Sequence, residues 1–113
     1  MKIRIKDHVK LAADKMAKIA LHATDHTLLD LYCVAPGQSQ KAHSHAAQDK
    51  IYYVLEGAGR FSLSGVEQRL EAGEALVAPA GVEHGLVNDG AGPLLVLVVV
   101  APPPPHGPEG AKA

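Results

Sequence analysis

Three histidines carry the chemistry that this sequence can be read for. His43 and His45 stand two positions apart, and in an extended strand residues i and i+2 project from one face. Two imidazoles on one face can share a metal ion at ~2.0–2.1 Å. Taken alone, His43-Ser44-His45 reads equally well as a solvated strand edge. His84 changes that balance. It follows Pro79-Ala80-Gly81-Val82-Glu83, where proline ends one strand and glycine permits a turn with positive φ, so the next strand can aim His84 at the first pair. His8, His22, His26 and His106 fall in the amino-terminal region, a turn and the tail, and read as solvated side chains.

The elements that must position these residues are strands. Apolar-rich runs at Met16–Leu21 and Thr27–Val34 flank a hairpin turn over His22–His26, and Ile51–Leu55 is rich in β-branched and aromatic residues up to a turn at Gly57-Ala58-Gly59. Arg60–Leu63 and Val66–Leu70 flank Ser64-Gly65, the spacing of a two-residue hairpin. Ala75–Ala78 lies between turns at Glu71-Ala72-Gly73 and Pro79-Ala80-Gly81. Turn signals at roughly eight- to twelve-residue intervals favour a sandwich or barrel. One helical segment is expected over Asp7–Lys18, on its alanines. The last run, Leu94–Val100, does not alternate, which implies burial on both faces, and a homodimer covering the outer face is the expected solution. Residues 102–113, with four consecutive prolines, cannot join a ladder. The domain is expected over 1–101, with 102–113 as an extended or disordered tail.

Gly37, five residues, His43-Ser44-His45 and then Tyr53-Val54-Leu55-Glu56-Gly57 resemble the first motif of the cupin family. Gly73, five residues, Pro79-Ala80-Gly81, two residues, His84, three residues and Asn88 resemble the second at every fixed position. Chance agreement at those positions is on the order of one in a million per starting point. The resemblance implies an all-β fold, a double-stranded β-helix or jelly-roll barrel, with a metal in its mouth. Family ligands are the two histidines and a carboxylate of the first motif, plus the histidine of the second; they fall on His43, His45 and His84. The carboxylate position falls on Lys50. An ammonium ~4 Å from a divalent ion costs several kcal/mol even at an effective dielectric of about 20. Lys50 is therefore expected to point away, to carry a depressed pKa, or to mark a site for an anion. Three histidines alone rank first as ligand set, help from the Gln48 amide second, and Asp49 third. Iron, zinc, nickel, copper and manganese all suit neutral imidazoles.

The remaining residues set limits. The 113-residue chain is 47% hydrophobic but 4% aromatic, which fits one domain with an aliphatic core. Eleven basic and twelve acidic side chains give a net charge of −1, so nothing electrostatic favours nucleic acid or an anionic membrane. The longest apolar stretch, Leu94–Ala101, is eight residues, too short for a span. Met1–Lys6 lacks the apolar run of a signal peptide, and a lone cysteine, Cys33, forms no internal disulfide. A cytoplasmic protein is expected. Cys33 reads as a small core residue, Asn88 as a turn support, and Arg60 and Glu83 as surface residues. Of Tyr52 and Tyr53, adjacent on one strand, one must face inward; Tyr52 and Lys50 are taken as the substrate pocket.

Fold does not fix function. The first reading is a metal-dependent enzyme, oxygenase-like or isomerase- or lyase-like, acting on a small organic molecule in the barrel. With iron, an oxygenase of a thiol, diketone or enediol-like chelator is its most concrete form. The alternative is a non-catalytic module that binds or senses a small anion or sugar, with Lys50 as counter-charge to an acid. A purely structural dimer is the third and weakest reading.

Overall fold

A computed structural model describes residues 1–104. After a 3-10 turn, Ile5–His8, the described chain forms strands β1 (Ala17–Ala23), β2 (Leu28–Val34), β3 (Ser39–His43), β4 (Asp49–Glu56), β5 (Ala58–Leu63), β6 (Val66–Glu71), β7 (Ala75–Ala78), β8 (His84–Val87) and β9 (Leu94–Ala101). They make two antiparallel sheets, ordered β1-β2-β9-β4-β7 and β3-β8-β5-β6. From β2 to β5 each successive strand changes sheet, as do β7, β8 and β9. This is the jelly-roll architecture, in which two apolar faces close on each other.

Alternation along the strands supplies the core. Leu28, Tyr32 and Val34 of β2, Tyr52 and Val54 of β4 and Leu94, Val96, Val98 and Val100 of β9 point inward, where they meet Phe61, Leu70 and Leu86 of the opposing sheet. Each such side chain contributes about 1.5–3 kcal/mol on leaving water. Tyr52 is the inward member of the tyrosine pair and Tyr53 is exposed.

The expected helix over Asp7–Lys18 does not form; helical geometry is confined to Ile5–His8, which has no buried residue. Those residues carry no apolar stripe of helical period to bury. Instead the segment runs as a strap, pinned where Gln38 Nε2 donates to the carbonyl of Ala12 at 2.7 Å. The hairpin turn also sits later than expected: β1 continues through His22 to Ala23, and Thr24 and Thr27 close the turn. Ala58 and Gly59 belong to β5 rather than to a turn. Ser64 and Gly65 turn with φ of 50° and 78°, pairing Leu63 with Val66 as the spacing required.

The non-alternating strand β9 is explained in part by the chain itself. Its outward Leu95 packs with Leu31 and Cys33 under Ile5 and Leu55, a second apolar cluster outside the barrel. Ile51, Tyr53 and Val77, elsewhere on that sheet's outer face, are exposed. Past Ala101 the chain leaves the ladder. The expected tail lies, from residue 105 on, outside the described residues, as does His106. No described helix is long and apolar enough to cross a membrane.

Candidate metal centre

His43 ends β3 and His84 begins β8, and the two are direct cross-strand partners. Upstream, Gln40 pairs with Leu86. Three residue steps on β3 therefore match two on β8, a bulge that restores Gln40 and His43 to the same inward side. Gly85 makes the bulge possible. A Cβ on it would meet the Gln40 carbonyl oxygen at 2.8 Å and Ala42 Cα and N at 2.9 Å.

His45 lies beyond β3, so the shared strand face expected for His43 and His45 is not what joins them. A loop does. Pro79–Val82 form a turn closed by Val82 N–H on the Pro79 carbonyl, with Gly81 at φ 83°, the left-handed third position that glycine fills in a type II turn. That turn is docked on the histidine loop: Gly81 N–H donates to the His45 carbonyl at 2.7 Å, and Ala80 N–H to Asp49 Oδ1 at 2.9 Å. Asp49 thus clamps backbone, and among the described residues it is not part of the group able to hold an ion. Gln48 lies half-buried just before β4.

The candidate ligand atoms of His43, His45 and His84 lie within 4.8 Å of one another. Ring centroids are 4.9 Å apart for His43–His45, 4.4 Å for His43–His84 and 5.7 Å for His45–His84. His43 Nδ1 bonds the Lys41 carbonyl at 2.8 Å and His84 Nδ1 the Val82 carbonyl at 2.9 Å. A carbonyl can only accept, so both Nδ1 atoms carry the proton and both Nε2 atoms present a lone pair. All three Nε2 atoms are buried and without a hydrogen-bond partner. Such groups cost about 1–3 kcal/mol each when left unmatched, and a cation among them removes that cost. Backbone carbonyls fixing the far nitrogen are also the usual support of metal-binding histidines. The donor set fits a divalent transition metal.

Burial lowers the pKa of all three imidazoles, to about 4 for His43, and the Lys50 ammonium lowers each further. They are held neutral, the form that binds metal.

Lys50 does not point away. It is fully buried, with Nζ 3.3 Å from Gln40 Oε1 and 5.1 and 5.0 Å from the ring centres of Tyr32 and Tyr52. Burial, and then the charge of Lys18, bring its pKa down to about 7, against the opposing pull of Asp30. Gln40 is the hub of this cluster. Its Oε1 also accepts from the Tyr52 hydroxyl at 2.7 Å, and its Nε2 donates to the Tyr32 hydroxyl at 3.3 Å. Asp30, 4% exposed, has its pKa raised by burial.

Sequence reasoning missed Gln40 and Asp30. Asp30 had a signal, since it interrupts an apolar run two residues before the inward Tyr32. Gln40 had an indirect one, because an inward tyrosine needs a partner for its hydroxyl. Elsewhere the expectations agree with the structure. Cys33 is buried among apolar side chains. Asn88 braces a turn through the carbonyls of Val34 and Gly92 and the N–H of Gly90. Arg60 pairs at the surface with Asp89 at 2.8 Å, and His8, His22 and His26 are exposed.

The model of the cupin domain family matches residues 30–100, and this chain belongs to that family. A solved structure, TT1209 from Thermus thermophilus, is 44% identical, superposes with a TM-score of 0.88, and is matched over 92% of this chain and 100% of its own. Among curated proteins, the tetracenomycin polyketide synthase protein TcmJ of Streptomyces glaucescens is 38% identical over 65% of this chain and 49% of its own length. The oxalate-binding protein of Thermotoga maritima is 34% identical over 58% of this chain and 54% of its own. The chain thus spans about half the length of these curated relatives.

Proposed function

We propose that the protein is a metal-dependent enzyme acting on a small organic molecule held in the jelly roll, with His43, His45 and His84 as the metal ligands. The observation that carries this reading is the convergence of three buried, unpartnered Nε2 atoms. A bound divalent ion with open positions supplies Lewis-acid polarisation of a substrate oxygen or activation of dioxygen. Gln48 stands close in sequence as a further ligand. Tyr52 and Lys50, tethered through Gln40, line the substrate side, and Tyr52 stacks edge-on to His84 at 5.9 Å between centroids. Iron, zinc, nickel, copper and manganese remain the candidates.

Elemental analysis of the purified untagged protein beside His84→Ala tests the centre. One transition metal per chain is expected, lost in the variant while far-UV circular dichroism is unchanged. Stoichiometric metal in His84→Ala would overturn the assignment.

A second reading, a non-catalytic module for a small acid or sugar, is favoured by the buried Lys50 at the carboxylate position and by likeness to an oxalate-binding protein. It differs from the first in turning nothing over. We further place the protein in the cytoplasm, on its single unbridged cysteine, and infer a homodimer through the exposed Ile51, Tyr53 and Val77.

A further inference from the structure

Two of the three histidines are aimed by a bond at their own far nitrogen, His43 Nδ1 to the Lys41 carbonyl and His84 Nδ1 to the Val82 carbonyl. Among the described residues no bond of that kind orients His45. His45 also lies outside any strand, in the loop between β3 and β4. Its ring nevertheless meets those of His43 and His84, at 4.9 and 5.7 Å between centroids. The backbone of the loop must therefore do the aiming.

That backbone is held by the Pro79–Val82 turn. Val82 N–H closes the turn on the Pro79 carbonyl, so the N–H groups of its two central residues, Ala80 and Gly81, need acceptors from outside it. Both acceptors come from the histidine-bearing segment. Gly81 N–H donates to the His45 carbonyl at 2.7 Å, and Ala80 N–H donates to Asp49 Oδ1 at 2.9 Å. The second bond has a carboxylate acceptor, which makes it the stronger type. Asp49 is also well anchored. It is the first residue of β4 and pairs with Ala101 of β9, while Lys50 beside it pairs with Ala78 at the end of β7. Its side chain thus joins the turn to a strand fixed on both edges. Without the carboxylate, one of the two bonds between turn and loop remains.

We propose that Asp49 is the positioning residue of the centre: by anchoring Ala80 it docks the turn that fixes the His45 carbonyl, and so aims the third imidazole without touching the metal. This rests on the metal-centre reading and deepens it. His43 and His84, each bonded within its own segment, keep their aim when Asp49 is removed, and His45 is the ligand that is lost.

Cobalt(II)-loaded protein tests this, because the visible absorption of the ion follows the number and geometry of its ligands. Asp49→Ala is expected to weaken cobalt about ten- to a hundredfold, the usual cost of losing a support behind a ligand, and to shift the spectrum towards that of His45→Ala. Asp49→Asn keeps an oxygen able to accept from Ala80 N–H, and should hold cobalt within about threefold of the wild type, with the wild-type spectrum. Should Asp49→Ala fail to fold, Asp49→Ser gives the same comparison. Wild-type affinity and spectrum in Asp49→Ala overturn the proposal and leave the metal centre standing. A loss in Asp49→Asn as large as in Asp49→Ala also overturns it, by making the carboxylate itself a ligand. A wild type that holds neither cobalt nor zinc, nickel, iron, copper or manganese overturns the centre and the proposal together.

Discussion

Gly85→Ala is the most stringent probe of how the backbone builds the centre. Glycine here lets β3 and β8 approach at the bulge, and the atoms an added methyl would strike, Gln40 O at 2.8 Å and Ala42 Cα and N at 2.9 Å, are all main chain. None can rotate aside. Reaching ordinary contact near 3.5 Å requires the strands to part by roughly 0.6–0.7 Å. Overpacking of this kind costs about 1–3 kcal/mol, which lowers Tm by roughly 4–12 °C in a domain of this size. The displaced segment lies between Gln40 and His43 and faces His84. Both the hub of the Lys50 cluster and two of the proposed ligands therefore shift, and metal affinity should fall about ten- to a hundredfold, as when a ligand loses its supporting contacts. Thermal melts of metal-free protein, followed by competition with a chromophoric chelator, measure the two effects separately. Gly92→Ala is the control: a Cβ there meets nothing within 4 Å, and its stability should stay within about 0.5 kcal/mol of wild type. If Gly85→Ala melts with the wild type and binds metal as tightly, the bulge does not set the ligand geometry.

Three further outcomes are expected. Gln40→Leu removes the acceptor of both the Tyr52 hydroxyl and Lys50 Nζ; at about 1–3 kcal/mol for each stranded donor, urea denaturation should show a loss of roughly 2–6 kcal/mol, and an unchanged midpoint would remove Gln40 as the hub. In metal-free protein, His43 has a folded pKa of about 4 against an unfolded value near 6.5. The unfolded chain binds more protons between those values, so stability is complete above the window and is lost as pH falls through it; His45 and His84 act in the same sense. A melting temperature that stays level or climbs on acidification from pH 6.5 to pH 4 contradicts this. Val77→Lys, on the exposed outer face opposite Ile51, should convert a dimer to a monomer in sedimentation velocity, and a wild type that is already monomeric disposes of the dimer.

The parts of the site legible in the sequence are those fixed by local rules. Pro79 and Gly81 announce a turn because proline and glycine restrict φ in opposite ways, and the turn does deliver His84 to β8. Strand parity was less reliable. It predicted that His43 and His45 meet, which they do, though through a loop docked on a turn rather than along one strand. It could not reveal Gln40, because an extra residue in β3 reverses the inward and outward sense between Gln40 and His43, and a bulge has no periodic signature. The Asp7–Lys18 helix was an error of composition over pattern: alanines favour a helix, but the segment has no stripe to bury, and the tertiary bond from Gln38 to Ala12 holds it elsewhere. For Lys50 the sequence offered a depressed pKa, which the structure bears out, beside two alternatives it had no means to choose between. Whether a lysine turns in or out of a barrel depends on what waits inside, and here that is two tyrosine rings and an amide drawn from three strands.

The two halves of the site come from different sheets. His43, His45 and His84 are set by β3, the loop after it and β8, whereas Asp30, Lys50 and Tyr52 project from β2 and β4 of the opposing sheet. Gln40, from the histidine-bearing sheet, bonds the opposing cluster at Tyr32, Lys50 and Tyr52. The three-histidine group and the charged cluster are therefore set by separate sheets. His43 and His84 are oriented by backbone carbonyls of their own segments, Lys41 and Val82, so a substitution at position 50 on β4 leaves those two bonds in place. A jelly roll built this way can keep its three-histidine group constant while the opposing sheet varies the charged cluster beside it.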